Sequence, residues 1–548
     1  MFGEAPHGPR VAGNRAPDVF AVGGWLPMRQ YSQDEEVDFV VVGTGAGGGT
    51  LTARLAELGF SVVAFDAGPY FRPLEEFASD ETAQNKLYWL DRRICDGENP
   101  LQMGGKNSGK AVGGSMVHFA MVSLRFRPEW FKSRTSMGYG ADWPLDWQEM
   151  WHYYTKIERA LSISGPVNYP WGPPRPRYPY RAHEVNAAGL LLAKGAEALG
   201  YQWTPTPLAT VSAPRGKSPP CVYRGFCRFG CSTNAKQSTL TVFMPRAISA
   251  GAEIRDLAMV GRIEMNSAGR ATGVHYHREN AWHFQRARHV VVAGYAIETP
   301  RLLLNSATDR YPNGLANGSG LVGKYLMAQS NQAVFGKMKE EVRWYKGPPS
   351  LAITEHWNYE DKGKDFFGGY CWMGQGPLPI EWASIQTGAR GLWGEKLRTE
   401  MLSYNHQVGL KIVGEMLPDL RNTVTLADEV DQYGIRIARI TYSWGDNDKR
   451  LIRHSLAQMT MSLQAIGAKD IFEQADDTNH LAGTARMGFD RETSVVNADC
   501  RSWDIPNLWV CDGSVFPTTG GVNPSLTIQA IALRMADRIK SMAQRGEL

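Results

Sequence analysis

The stretch from 38 to 68, DFVVVGTGAGGGTLTARLAELGFSVVAFDAG, constrains the fold more than any other part of the chain. Its apolar run Phe39 to Val42 suits a strand buried on both faces. Gly43, Gly45 and Gly48 then follow with G-x-G-x-x-G spacing. The first glycine allows a tight turn, the second lets a pyrophosphate approach the backbone, and the third permits close helix packing. A helix is predicted from about Thr50 to Leu58, stopped by Gly59. Val62 to Phe65 form the next strand and end on Asp66, whose carboxylate can accept hydrogen bonds from a ribose. A glycine turn alone could be purely structural. The order strand, turn, helix, strand, acid favours a dinucleotide.

Three further segments say which dinucleotide. GGKNSGKAVGGSMVHFAM (104 to 121) is a second glycine-rich run, HVVVAGYAIETPRLLLNS (289 to 306) reads as a buried strand then a helix, and NLWVCDGSVFPTTGGVNPSLTIQAIALRMADRI begins at Asn507. Four separated segments imply a long cofactor, FAD, buried along its length by a discontinuous domain. The 548 residues exceed a single core and imply two or three lobes. A formal charge of +4 without a basic run gives no reason to expect nucleic-acid binding, and no apolar stretch reaches the roughly 20 residues of a membrane span. The start, 1 to 35, lacks the apolar core of a secretory signal and reads as an extended arm. The chain is therefore expected to fold in a reducing cytosol, where structural disulfides are rare.

CVYRGFCRFGC (221 to 231) crowds three of seven cysteines into one loop. A structural zinc needs four ligands, and Cys221, Cys227 and Cys231 leave it one short with no His in the segment. A disulfide would strand the third thiol. Iron–sulfur clusters are held by thiolates, so three of them match a three-iron centre, with Arg224 and Arg228 offsetting its charge. A fourth iron on a non-Cys ligand and simple coincidence of three cysteines both stay open on spacing alone.

The N-terminal fingerprint, GKAVGGSMVHFA, AGYAIETPRLL, NHLAGTARMG and CDGSVFPTTGGVNPSLTIQAIALRMA together resemble the glucose–methanol–choline (GMC) flavoprotein oxidoreductases, over nearly all of the chain beyond residue 36. The resemblance implies an α/β (overall α+β) fold: a discontinuous Rossmann-like FAD domain from 36–164, 218–330 and 474–548, and a substrate domain with a large antiparallel sheet from 165–217 and 331–473. Within the latter, Gly434 to Ile437 and its sequel look strand-like, Asp446 to Ala465 reads as an amphipathic helix with Leu451, Ile452, Leu456, Met459 and Leu463 inward, and the Pro-rich 165 to 180 reads as a surface connection. The resemblance further assigns Ala46, Gly109, Gly113, Gly114, Ser115, His118, Val260, Asp512, Gly513 and Asn523 to FAD, beside Gly43, Gly45, Gly48 and Asp66. Some sugar oxidases of the family attach flavin to a His in the context of His118; noncovalent FAD is the expectation here.

Asn523 suits a helix cap and Pro524 a first helical position, so a helix N-terminus is expected to face the flavin. The family places its catalytic His in the match to His480, and a second hydrogen-bonding residue in the match to Asn523. His480 would take the hydroxyl proton, while Asn523, which cannot, would orient the substrate oxygen. The thiol loop resembles that of bacterial glucose, gluconate, fructose and glucoside 3-dehydrogenases, which carry FAD plus a 3Fe-4S cluster, although Ser232 replaces a Pro common there. The resemblance thus implies a sugar dehydrogenase that oxidises a hexose or glycoside hydroxyl and passes electrons to a cytochrome c or other external carrier. Relatives pair with a small subunit bearing a twin-arginine signal, which implies a periplasmic location, with a cytosolic one as the alternative. Three other readings stay open: a gluconate 2-dehydrogenase type, an oxygen-using oxidase with an empty loop, and a non-catalytic flavoprotein. Trp344, Trp357, Trp372 and Trp382 either stack on a sugar or pack the core.

Overall fold

The structure, a computed structural model, describes residues 19–21, 24–26, 28–101, 107–216, 218–475 and 477–548. Most of the arm therefore lies outside the described residues, as do 104 to 106 of the second glycine-rich run. Two short strands of the arm, Val19–Ala21 and Gly24–Leu26, pair antiparallel.

The apolar runs form the strands expected of them. Val37–Val42 pairs in parallel with Val62–Phe65 on one side and with the end of Ala281–Val292 on the other. Glu253–Arg255 extends the parallel sheet beyond Val62–Phe65, and Leu508–Val510 joins Val290 to Val292. The central residues Val40, Val41, Val63, Val291 and Trp509 are all fully buried, which explains why these strands show no polar alternation. The first half of Ala281–Val292 instead belongs to an antiparallel meander with Ala271–Arg278 and Met259–Met265.

The first helix runs over Ala46–Glu57, four residues earlier than predicted. The glycines cause this difference. A Cβ on Gly47 would lie 1.8 Å from the Cys511 carbonyl oxygen, and one on Gly48 would lie 2.0 Å from that of Gly43. The first helical turn thus presses against the end of Leu508–Val510, which only bare backbone permits. The last helix, Ser525–Gln544, packs across this helix and against Trp147–Ala160.

The second lobe is built on an eight-stranded antiparallel sheet, ordered Lys469–Gln474, Ala333–Lys337, Gln407–Gly414, Tyr370–Gly374, Ala352–Thr354 and Thr204–Pro205. Met327–Ser330 pairs with Gly414 and with Thr478–Ala482, so both ends of the sheet's main stretch run back into the cofactor lobe. The helix Asp446–Ala465 has the predicted bounds, and all five predicted inward residues are buried. The strand after Gly434 exists as Arg436–Thr441, but it lies outside the large sheet. It pairs with Thr423–Val430 and Ile94–Asp96 in a three-stranded sheet that packs on the helix Tyr295–Asn305. The Pro-rich connection is also more than surface: Trp171 and Tyr178 are buried, and the Arg175 guanidinium lies 3.8 Å over the Tyr178 ring. Trp344, Trp357, Trp372 and Trp382 are all buried in the core, with Trp344 edge-on to Trp382 at 4.9 Å. None lines the cavity described below, so core packing is their role.

Candidate active site

The four segments meet around one cavity of about 710 Å3, inside the range of roughly 300–1,000 Å3 typical of cofactor and ligand sites. Gly43, Gly45, Ala46, Asp66, Gly109, Gly114, Ser115, His118, Val260, Asp512, Gly513, His480 and Asn523 all line it. Gly48 and Gly113 do not; Gly48 serves helix packing, and the Gly113 N–H donates to the Thr44 hydroxyl at 2.9 Å. Gly45 and Gly114 are where two glycine-rich segments face each other: a Cβ on Gly114 would come within 2.6 Å of the Gly45 Cα. One on Gly45 would meet nothing nearer than 3.8 Å, so that position is open toward the cavity.

Two carboxylates hold the walls together. Asp66 accepts hydrogen bonds from the Thr44 N–H and hydroxyl (3.2 and 2.5 Å) and from the Gly68 N–H (3.0 Å). Asp512 accepts from the Tyr295 N–H (2.9 Å), the Thr299 hydroxyl (2.5 Å) and the Ser514 N–H (2.7 Å), and so ties the third segment to the fourth. Burial raises both carboxyls, Asp66 to about 6. The walls also carry three helix N-termini, at Gly45 to Gly47, Gly294 to Tyr295 and Asn523 to Ser525. Aligned dipoles at all three favour an anionic ligand. Buried side-chain atoms in the wall wait for a polar partner: His118 Nε2, Asn479 Oδ1 and Asn523 Oδ1 have none among the described residues. An open glycine, three positive helix ends and these orphaned atoms fit a dinucleotide such as FAD.

His480 owes its placement to a bulge. On Thr478–Ala482, Asn479 pairs with Gln329 and Leu481 with Ala328, leaving His480 as the extra residue, with φ at +50°. Such a bulge re-aims a side chain that strand alternation would send elsewhere. Its Nδ1 lies 2.8 Å from Gln329 Oε1 and its Nε2 lies 3.4 Å from Asn523 Nδ2. The structure corrects the predicted cap at this point. The helix begins at Ser525 with Pro524 as its N-cap, and the Asn523 side chain makes no cap bond. Its amide turns to His480 instead. Burial, with the Lys411 charge adding to it, pushes His480 down to about 3. In the resting site the imidazole is therefore neutral throughout the neutral range. Between pH 8 and 5, the rate of substrate-driven flavin reduction should show no acid limb from this residue; a fall with a midpoint near the ordinary 6.5 would contradict its burial.

Several wall residues carried no signal in the sequence. Lys411, Asn331 and Gln375 come from strands and loops of the large sheet and line the cavity, with Lys411 near enough for its charge to act on His480. Asn331 accepts from Asn479 Nδ2 at 2.9 Å. His118, also buried and pushed down to about 3, stands edge-on to Tyr88 at 4.8 Å.

The thiol loop lies just behind this wall. Cys221, Cys227 and Cys231 are free of disulfides and half-buried, and burial, with the neighbouring thiols adding to it, pushes the Cys227 thiol up to about 12. Among the described residues no three His, Cys, Asp or Glu side chains are placed to hold a single metal ion. Arg228 is paired with Glu381 at 2.8 Å, and Arg224 bonds Ser79 and Ser232. Lys236, another residue without a signal in the sequence, stands between the loop and the wall. Fully buried, its ammonium donates to the carbonyls of Val117 (2.7 Å), Phe119 (3.0 Å) and Cys227 (2.9 Å), joining the thiol loop to both neighbours of His118.

The chain is similar to known proteins. The chain is 31% identical to 2-methyl-1,2-propanediol dehydrogenase of Mycolicibacterium austroafricanum, covering 92% of this chain and 95% of that protein. It is 28% identical to the fructose dehydrogenase large subunit of Gluconobacter japonicus, covering 93% and 98%. Its fold matches a solved formate oxidase of Aspergillus oryzae, studied for modification of its FAD, with a TM-score of 0.67 at 16% identity over 94% and 100% of the two chains. The N-terminal family model of the GMC oxidoreductases matches residues 37–330 and the C-terminal one residues 418–532. The chain belongs to the GMC oxidoreductase family and is an FAD-dependent oxidoreductase.

Proposed function

We propose that the chain is the catalytic subunit of a dehydrogenase that oxidises a hydroxyl of a hexose or glycoside and delivers the electrons to an external carrier. The observation that carries this is the convergence of His480 Nε2 and Asn523 Nδ2, 3.4 Å apart, on a cavity wall furnished with Asn331, Gln375 and Asn479. FAD bound in the cavity supplies the hydride acceptor. His480, neutral at working pH, takes the proton of the substrate hydroxyl on Nε2. Asn523 donates from Nδ2 to the same oxygen and fixes its position. The remaining amides suit neighbouring hydroxyls, a demand shared by fructose and by the 1,2-diol in the two relatives' names. Gly43, Gly45, Gly114 and the three helix ends would hold the cofactor, which is read as noncovalently bound.

Cys221, Cys227 and Cys231 would hold a 3Fe-4S cluster, which would supply one-electron transfer; three thiolates match three irons one to one. Replacing all three by Ser should remove bound iron and slow reduction of a cytochrome c at least tenfold, about 1.4 kcal/mol, while flavin reduction by substrate stays unchanged. Iron-free wild-type protein, or a variant that still reduces the cytochrome at full rate, would refute the assignment. The same proposal includes a small partner subunit with a twin-arginine signal and a periplasmic location. No helix among the described residues is long and apolar enough to cross a membrane.

Lys411 supports a second reading. A cation in the wall beside His480 is what a sugar acid such as gluconate would need. An anaerobic screen of flavin reduction by glucose, methyl glucoside, gluconate, fructose, 2-methyl-1,2-propanediol and simple alcohols decides between them. Preference for the neutral sugars supports the first reading, and preference for gluconate the second. No reduction by any of them would sink both.

A further inference from the structure

We propose that Gln329 is a positioning residue that fixes the tautomer of His480, leaving Nε2 as the proton acceptor, and anchors the loop that carries Asn523. The inference rests on the reading of His480 as the base. Gln329 is fully buried in the strand Met327–Ser330, opposite Asn479 in the ladder, and is not part of the cavity wall. It can therefore act only through its neighbours.

Those neighbours determine which end of its amide points where. One end faces the backbone carbonyls of Gly520 (2.6 Å), Val522 (2.9 Å) and Thr519 (3.4 Å). Carbonyl oxygens only accept hydrogen bonds, so that end must be the NH2 group. The opposite end is then the oxygen, and it lies 2.8 Å from His480 Nδ1. An amide oxygen cannot donate, so Nδ1 must carry the ring proton. In the neutral ring Nε2 is left with its lone pair, facing the Asn523 amide at 3.4 Å. Three carbonyls that cannot change role thus set the protonation pattern of a histidine two bonds of the network away.

The same side chain links the two halves of the pair. His480 stands on a strained bulge of one strand, and Asn523 sits in a loop of bends between Gly513–Val515 and Ser525–Gln544. Gln329 holds the first by its oxygen and the backbone of the second by its nitrogen. Asn358 adds a second tie, donating to the Gly521 carbonyl at 3.1 Å. Removing the Gln329 amide lets the neutral ring shift to the other tautomer, losing the proton at Nδ1 and gaining one at Nε2, which could then no longer accept one. Hydrogen-bond partners that fix the tautomer of metal-ligating histidines are typically worth about 10–100-fold, and a loss of that order is expected here.

The test uses the holoenzyme labelled with ring-15N histidine, with His480 signals identified by their loss in His480→Gln. Wild type should show Nδ1 protonated and Nε2 bare. Gln329→Met, similar in length but without amide atoms, should show mixed tautomers and a kcat lower by about 10–100-fold with KM little changed. Gln329→Glu keeps an acceptor for Nδ1 but has no donor for the Gly520 and Val522 carbonyls, so it should restore the wild-type tautomer while turnover stays below that of the wild type. Protonation of Nε2 in the wild type overturns the proposal outright, whether or not any variant folds. A Gln329→Met enzyme with the wild-type tautomer and kcat overturns it too. Full activity in His480→Gln would sink the base assignment instead, and the tautomer spectra would still report separately on Gln329.

Discussion

His480→Gln is expected to slow substrate-driven flavin reduction by about 10²–10⁴-fold, the span that a positioned general base contributes, and to leave FAD bound. The residue does not belong to the glycine turns and helix ends that cradle the cofactor. Its imidazole sits instead at the junction of the lobes, on the extra residue of a bulge, with Nε2 directed at Asn523. Gln preserves polarity and approximate length but cannot take a proton near neutral pH. Stopped-flow reduction under anaerobic conditions measures the effect, with the flavin spectrum confirming that the cofactor is retained. A variant that keeps the full rate would remove His480 from the chemistry.

The other large effect concerns stability. Gly47→Ala should destabilise the fold by about 3 kcal/mol, the upper part of the usual range for overpacking a core, and yield a chain that fails to retain FAD. The added methyl would sit 1.8 Å from the Cys511 carbonyl oxygen and 2.7 Å from its carbon. Neither group is the end of a flexible side chain; both are backbone at the buried end of Leu508–Val510. The helix Ala46–Glu57 would have to lift from the sheet. Gly45→Ala is the contrasting case. Its methyl meets no protein atom closer than 3.8 Å, so the apo chain should unfold at the wild-type temperature. The same methyl points where the cofactor must approach, so FAD should bind roughly tenfold more weakly, about 1.4 kcal/mol. Thermal unfolding with and without added FAD separates the two variants. Equal losses of apo stability in both would show that the crowding is not where the structure puts it.

Gly47 illustrates a limit of reading the chain locally. The spacing of Gly43, Gly45 and Gly48 marks the turn, and the neighbouring Gly47 looks like a spare glycine. Its necessity comes from Cys511, more than 460 residues away, whose carbonyl occupies the space a side chain would need. Gln329 is a similar case. Nothing around it in MAQSNQ distinguishes it from Gln332, yet only the pairing of Met327–Ser330 with Thr478–Ala482 brings it to His480. Lys236 and Lys411 escaped notice for the same reason. By contrast, Asp446–Ala465 was legible to the residue, because its buried stripe repeats with the helical period.

The hairpin Thr423–Val430 and Arg436–Thr441 shows the intermediate case. Its strand character was evident after Gly434, but its sheet was not, since alternation says that a strand is half-buried without saying against what. Its parallel partner, Ile94–Asp96, lies more than 300 residues earlier.

By itself the sequence determined the elements, the turns that admit a dinucleotide, and the residue types able to move a proton or bind iron. These follow from periodicity, from backbone freedom at glycine and from side-chain chemistry, all of which act within a few residues. Only the tertiary structure decided which atom of His480 faces Asn523, which glycine the core cannot replace and which buried lysine joins the thiol loop to the cofactor wall. Each of those depends on contacts between segments hundreds of residues apart, where carbonyls, amides and charges take their roles from one another.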